Sequence, residues 1–316
     1  MQVNDLIFKE LIKRGYTLDG KTRVWNIADS KLWYLTPDQA QAYLDLEESE
    51  NYKSLATNSE FELFEKNMPL LKDKLESFGA INVVDLGCGD GKKAEFIINK
   101  LGKKFKVRYC PIDISGYMVE KAIETLSKSK VDEIIEFQYN ISDFENLENL
   151  TPLLSKGTFK KSLFLLLGYT LGNFEIHELL YAIRSSMNRG DVLMIVSGIA
   201  SEKWQQWIND VKDPKKLAVN SFFIYTPLQL GLSKNDLEFG ARYKNSRVEY
   251  FYTLMNDKKI QFQDKTIYFN KGDQIIVAVS YKHEKQDLLE TLNMHFDEVS
   301  FTVSKDKSTF LALCQR

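Results

Sequence analysis

The sequence predicts an α/β protein: a doubly wound, mostly parallel seven-stranded sheet with an inserted α+β lobe. Three observations carry this. Short apolar runs alternate with helical stripes between about residues 79 and 200, the pattern of a parallel sheet covered on both faces. A glycine-rich loop, Gly87-Cys88-Gly89-Asp90-Gly91, stands between the first apolar run and its helix. From about Glu202 the alternation stops, three strand-like runs follow, and the chain closes with a helix and a hairpin.

Each element has a local reason. Up to about Phe78 the chain reads mainly helical, with Phe61, Phe64, Met68, Leu71, Leu75 and Phe78 at steps of three and four, ended by Gly79. Pro69 interrupts that stripe, so a kink or two abutting helices are expected. Ile81 to Leu86 is the first strand, and a helix from Lys92 to Leu101 is closed by Gly102. Phe105 to Ile114 is the second strand, and Ser115 is placed to cap the helix carrying Val119, Ala122 and Leu126. Ile135, Phe137, Tyr139 and Ile141 alternate as a third strand. Ser162 to Leu167 is a strand buried on both faces. Ile176, Leu179, Ile183 and Met187 form the next helical stripe, and Asp191 to Val196 is the fifth strand.

Beyond it, a helix carrying Trp204 and Trp207 leads through an irregular stretch to Arg247–Met255, Ile260–Phe269 and Gln274–Tyr281, expected as an antiparallel meander. A helix near Gln286–Met294 and the strands Glu298–Val303 and Thr309–Cys314 complete the sheet. The expected division is therefore a core of 79–200 plus 283–316, and a second lobe of 1–78 plus 201–282.

Composition excludes several functions. The 316 residues are 44% hydrophobic and 27% charged, too apolar for disorder. Lys and Arg number 42 against 44 for Asp and Glu, a net charge of -2, so no phosphate-neutralising surface or nucleic-acid partner is expected. The charge-free apolar stretch Ser162 to Phe174 falls short of the roughly 18 residues a bilayer span needs, so no membrane partner is expected. The N-terminus mixes charges with its apolar residues and lacks a signal-peptide core. Cys88, Cys110 and Cys314 form no disulfide framework, and neither they nor His177, His283 and His295 have metal-ligand spacing. A cytoplasmic location without a metal is the expectation.

The glycine loop points to a ligand at the carboxyl end of the first strand. Its spacing is G-x-G-x-G, whereas nicotinamide sites carry G-x-G-x-x-G. Asp85 and Asp90 add negative charge where a pyrophosphate would sit. S-adenosylmethionine carries a sulfonium and an ammonium and no phosphate, and it suits that charge. Asp113 then ends the second strand, where its carboxylate can accept hydrogen bonds from both ribose hydroxyls. Asp143 and Phe144 offer a carboxylate for the adenine amino group and a ring for stacking.

The sequence resembles the histidine-specific S-adenosylmethionine-dependent methyltransferases of the ergothioneine pathway, which N-methylate the α-amine of an amino acid. The resemblance runs from about Trp33 to the C-terminus. It is carried by Trp33-Tyr34-Leu35-Thr36, Asp85 to Lys93, Pro111 to Ser115, Asp143-Phe144, Leu163 to Phe174, Ser246 to Glu249 and Val279 to Lys282. The Leu171-Gly172-Asn173-Phe174 segment is the most specific of these. The resemblance implies that Asp85, Gly87, Gly89, Lys93, Asp113, Asp143, Phe144 and Gly168 form the cofactor site. It likewise implies that Tyr34 and Asn173 hold the substrate amine and that Ser280 lines the side-chain pocket. Two departures bear on the substrate. Ala278 stands where the histidine-selective members have an acidic residue, and a carboxylate-recognising tyrosine is replaced near Val211. Each change removes a polar partner worth about 1–3 kcal/mol, which weighs against histidine while leaving the cofactor set intact.

The same residues have plainer uses. Asn173 could cap the helix opening at Phe174, Lys93 could be a solvated lysine in a helix's first turn, and Tyr34 a packed aromatic beside Trp33. Trp204 and Trp207 fit a buried helical stripe, Cys88 a tight loop, and Arg247 with Glu249 an ion pair on one strand face. Three functions follow: a small-molecule N-methyltransferase with an amine or amino-acid-like substrate, a non-enzymatic S-adenosylmethionine-binding protein, or a nicotinamide-dependent oxidoreductase, which the loop spacing disfavours.

Overall fold

The computed structural model describes residues 3–136, 144–155, 157–202, 206, 208 and 217–316. The expected site residue Asp143, Trp204, Trp207 and Val211 lie outside the described residues, as does most of the third strand expected over 135–141. The chain divides into two compact units, Met1–Ser49 with Glu202–Lys282, and Glu50–Ser201 with His283–Arg316.

In chain order the strands open with β1 (Thr17–Asp19) and β2 (Thr22–Asn26). The second unit begins with β3 (Ala80–Leu86), β4 (Lys106–Ile112), β5 (Glu133–Ile134), β6 (Lys161–Leu166) and β7 (Val192–Gly198). The first unit resumes with β8 (Leu237–Lys244), β9 (Arg247–Leu254), β10 (Lys258–Phe262), β11 (Lys265–Phe269) and β12 (Gln274–Tyr281). Finally β13 (Glu298–Val303) and β14 (Thr309–Gln315) return to the second unit.

The second unit is built on a seven-stranded sheet of order β13-β14-β7-β6-β3-β4-β5. Strands β3 to β7 are parallel, whereas β14 runs antiparallel to both β7 and β13. Successive residues of a strand face opposite sides, and both sides here are apolar. Val83, Tyr109, Leu163 and Leu165 pack with the helices Lys92–Leu101 and Gly116–Ser127. Val84, Cys110, Phe164 and Leu166 pack with the helices Ile176–Ser186 and Lys285–His295. Burial on both faces is why these strands are continuous apolar runs. The sheet is the doubly wound, mostly parallel α/β architecture that the alternation predicts.

The helix Asn58–Leu75 belongs to this unit, although the sequence division at residue 78 assigns it to the other lobe. Its Leu63, Phe64, Met68, Leu71 and Leu75 share a core with Ile81, Leu311 and Leu313. It also runs unbroken through Pro69, where the sequence predicts a kink or a break. Pro69 sits on the exposed side, so the carbonyl left without its intrahelical donor faces water.

The first unit has a five-stranded sheet of order β1-β2-β12-β9-β8 and a separate two-stranded sheet of β10 and β11. The hairpin β1–β2 interrupts an N-terminal region that reads as helical from sequence. The single strand expected over Ile260–Phe269 is instead a hairpin turning at Gln263-Asp264, where Gln263 adopts φ 54°. The expected simple meander therefore does not form, and β12 pairs directly with β9. Strand β8, not anticipated, joins β9 through Asn245-Ser246, with φ of 53° and 55°. Positive φ at both central residues matches the right-handed twist of the two strands.

Candidate active site

The parallel strands progress outward from β3 to β4 and β5, then return to the other side of β3 with β6. That reversal opens a crevice beyond the carboxyl ends of β3 and β6, where open α/β sheets bind ligands. The chain entering the crevice from β3 is the glycine loop. Gly87, Gly89 and Gly91 adopt φ of 71°, 52° and 77°, a region in which a side chain is strained.

The three glycines serve different ends. A Cβ on Gly91 would lie 2.8 Å from Leu126 Cδ2 and 3.0 Å from Ala122 Cα, so this residue lets the loop pack against the helix Gly116–Ser127. A Cβ on Gly87 would touch Thr170 Oγ1 at 3.4 Å and Phe144 Cζ at 3.8 Å. At Gly89 the space is open, with nothing within 4 Å. The backbone at Gly89 is thus the part of the loop that a ligand can approach without a side chain in between.

Two buried carboxyls stand beside the loop. Asp85, near the end of β3, accepts a hydrogen bond from the Tyr109 hydroxyl of β4 at 2.7 Å. Burial pushes its pKa up to about 7, opposed by Tyr109 and reinforced by the Asp113 charge. Asp113 follows β4 and accepts from the backbone N–H groups of Gly89 at 3.2 Å and Ser115 at 3.0 Å. Burial pushes its pKa up to about 6, and these backbone donors oppose the shift. Ser115 is the N-cap of the helix Gly116–Ser127 but makes no side-chain cap, and Asp113 takes its N–H instead. Asp90 accepts from the Lys92 N–H and pairs with its ammonium at 2.9 Å, which anchors the start of the helix Lys92–Leu101.

Lys93 is not simply solvated. Its ammonium lies 3.1 Å from the carboxylate of Glu60, and the other Glu60 oxygen accepts from the Gly168 N–H at 2.8 Å. Glu60 is 1% exposed. One buried carboxylate therefore ties the helix Asn58–Leu75 to the helix after the glycine loop and to the turn after β6. In that turn Gly168 and Tyr169 adopt φ of 68° and 66°, and the Thr170 hydroxyl donates to the Leu167 carbonyl at 2.7 Å. Asn173 ends the one-turn 3-10 helix Thr170–Asn173. It does not cap the next helix, whose N-cap is Glu175 with its carboxylate accepting from the Glu178 N–H. Among the described residues no hydrogen bond engages the Asn173 carboxamide. The Phe144 and Phe174 rings meet with centroids 5.3 Å apart.

The remaining two expected residues belong to the first unit. Tyr34 follows the short 3-10 helix Ser30–Trp33 and packs against Tyr43 and Phe222, each with centroids 5.5 Å away. Trp33 donates its indole N–H to the Val277 carbonyl of β12 at 2.8 Å. Ser280, on β12, accepts a hydrogen bond from the buried Lys282 ammonium at 2.7 Å. Glu60 and Tyr109 escaped the sequence reading, and Lys282 entered it only as the end of the Val279 to Lys282 segment, without a role. Nothing in a helix's first turn, an apolar strand or a strand end marks such side chains, because their partners are far away along the chain.

The donor set fits S-adenosylmethionine. Two buried carboxyls reject a diphosphate and favour a cation, the open backbone at Gly89 admits a ligand, and Lys93 is already paired with Glu60. This strand order, with the loop at its switch point, defines the sheet of an S-adenosylmethionine-dependent methyltransferase. No helix of the described residues is long and apolar enough to cross a membrane.

The chain belongs to the family described as histidine-specific methyltransferase, SAM-dependent, whose model matches residues 43–316. It is an enzyme of the methyltransferase class with S-adenosylmethionine as its methyl donor. No curated protein matches it in sequence. Among solved structures it is similar to an S-adenosylmethionine-dependent methyltransferase from Clostridium acetobutylicum, with 11% identity over 80% of this chain and 91% of that one and a TM-score of 0.42. It is also similar to the PH0226 protein from Pyrococcus horikoshii, with 17% identity, 89% and 96% coverage and a TM-score of 0.43. A third is DhpI in complex with SAH, with 12% identity, 88% and 95% coverage and a TM-score of 0.40.

Proposed function

We propose that this enzyme N-methylates the amine of a small amino-acid-like substrate, with Asn173 and Tyr34 as the residues that accept hydrogen bonds from that amine. The observation that carries the reading is the Asn173 side chain. It stands in the turn after β6, beside the crevice, and Glu175 performs the capping role that would otherwise explain it. Bound S-adenosylmethionine supplies an electrophilic methyl on a sulfonium. The protein's part is to hold a neutral amine in line with that methyl.

Magnitudes favour positioning over base catalysis. An amine whose pKa lies two units above ambient pH is deprotonated at a cost of about 2.7 kcal/mol. Alignment of the reactants supplies about 7–11 kcal/mol, so no strong base is needed. The carboxamide oxygen of Asn173 accepts an N–H and orients the lone pair, and Tyr34 is the second acceptor that the family resemblance implies. In the same reading Asp113 holds the ribose hydroxyls, Asp143 serves the adenine amino group, Phe144 stacks on the adenine, and Asp85 adds negative charge beside the loop. Gly87, Gly89 and Gly168 supply backbone surface, and Lys93 holds the loop through Glu60. Ser280 lines the side-chain end of the substrate.

The test is incubation of the full chain with S-adenosylmethionine and a pool of amino acids and simple amines, read by mass spectrometry. A product one methylene heavier that fragments with the added methyl on nitrogen is expected. Methyl found only on oxygen or carbon, or no product from any amine, would refute the assignment.

A further inference from the structure

The turn that carries Asn173 is held in a conformation its own sequence does not favour. Tyr169 adopts φ 66° and ψ 14° and is the N-cap of the 3-10 helix Thr170–Asn173. A residue with a side chain seldom takes this left-handed form, which glycine and asparagine enter far more readily. A tyrosine persists there only where its surroundings over-determine it, and such positions gather at functional sites. Its backbone is fixed from both directions. Before it, the Gly168 N–H is taken by the buried carboxylate of Glu60 at 2.8 Å. After it, the Tyr169 carbonyl accepts from the Gly172 N–H at 3.0 Å, closing the helical turn that ends at Asn173.

The side chain adds a third fastening. The Tyr169 ring is buried, and its hydroxyl lies 2.6 Å from the buried Thr309 Oγ1. Thr309 opens β14 opposite Gly198, the last residue of β7, so the contact sits at the carboxyl end of the parallel strands, where the crevice opens. Thr309 is itself well tied. Its N–H donates to the Ser304 hydroxyl at 3.1 Å, and Asp306 accepts from that hydroxyl at 2.6 Å and from the Ser308 N–H at 3.1 Å. The turn between β13 and β14 thus reaches, through one phenol, a turn 140 residues earlier in the chain. A glycine at this position would satisfy the backbone without strain but could not make the contact. Tyrosine makes the contact in spite of the strain, and the helix that it caps begins from the anchored residue.

We propose that Tyr169 is a positioning residue for methyl transfer: anchored on Thr309, it fixes the turn Thr170–Asn173 and with it the place of the Asn173 carboxamide against the amine. It acts through Asn173 and does not touch the reacting atoms, and the role rests on the amine-methylating reading above. The experiment measures kcat, KM for the amine and S-adenosylhomocysteine affinity in Y169F, T309V and the double variant, using the full chain and the amine that the wild type methylates fastest in the pool assay. Y169F removes one oxygen and keeps the ring, and T309V keeps the branched shape, so both should fold, as a thermal-shift titration with S-adenosylhomocysteine would show. A misplacement of about 1 Å lowers a rate by about 100-fold, so each single variant should lose about 10- to 100-fold in kcat, with KM and S-adenosylhomocysteine affinity nearly unchanged. The double variant should be no slower than the slower single one, because both changes break the same contact. Without any substrate, amide hydrogen exchange over residues 170–174 should quicken in both single variants. An unchanged kcat, losses that multiply in the double variant, or exchange no faster than in the wild type would overturn the positioning role and leave N-methylation standing. Absence of methylation on every amine by the wild type would overturn both.

Discussion

The Tyr109 hydroxyl on β4 donates a 2.7 Å hydrogen bond to Asp85 on the adjacent β3, and both side chains are buried within the sheet. A carboxyl in such a position holds its proton more tightly than one in water, and the phenol is the group that restrains that tendency. The pair places a titratable acid near the carboxyl end of β3, where the Asp113 charge acts on it.

The first prediction concerns pH. Burial raises the pKa of Asp85 to about 7 and that of Asp113 to about 6, against 3.8 in an unstructured chain. Between about pH 4 and 7 the folded protein therefore binds more protons than the unfolded one, and these two groups make its stability fall as pH rises. A cationic ligand favours the ionised carboxyls, so affinity for S-adenosylmethionine should rise over the same window, with proton uptake by the buffer. Calorimetric titration in buffers of different ionisation enthalpy measures both. In Y109F the acid loses its restraining donor, and the midpoint should move to higher pH.

The glycine loop separates folding from binding. In G91A the new methyl meets Leu126 and Ala122 at φ 77°, and a loss of about 1–3 kcal/mol in unfolding free energy is expected. In G89A the methyl enters open space at φ 52°, so the backbone strain alone costs about 1–2 kcal/mol. There the larger effect should fall on cofactor affinity. Chemical denaturation and ligand titration of the two variants would reverse the order of severity; equal losses in both assays would contradict the distinction.

Replacement of Asn173 by alanine tests the amine contact. The helix that follows keeps its Glu175 cap, so the fold should be unaffected. A fall in kcat/KM of about 10- to 100-fold, from the loss of one buried hydrogen bond of about 1.4–2.8 kcal/mol, is expected with S-adenosylhomocysteine affinity unchanged. Steady-state kinetics beside a binding titration would reveal whether the two parameters separate.

Glu60 is a structural prediction. E60A leaves the Lys93 ammonium and the Gly168 N–H without their carboxylate, and removal of one partner of a buried pair costs about 3–5 kcal/mol. E60Q retains an acceptor for Gly168 and should be the milder variant. Urea denaturation of both measures the difference.

Local chemistry wrote much of this molecule into the chain. The strands buried on both faces, the helix from Lys92 to Leu101 with its closing glycine, and the loop Gly87 to Gly91 are legible because period, caps and left-handed glycines act over a few residues. The acidic residues at the strand ends were legible for the same reason: topology puts the end of each parallel strand at the crevice. What neighbours far apart in sequence decide could not be read in this way. The Gln263 turn that splits one apolar run into β10 and β11, the Glu60 bridge from residue 60 to residues 93 and 168, and the Lys282 ammonium on Ser280 all exist because the fold desolvates a polar group and must then supply its partner. Burial assigns such partnerships only after the chain has packed, and so the acidity of Asp85 and the contact of Lys282 with Ser280 belong to the tertiary structure alone.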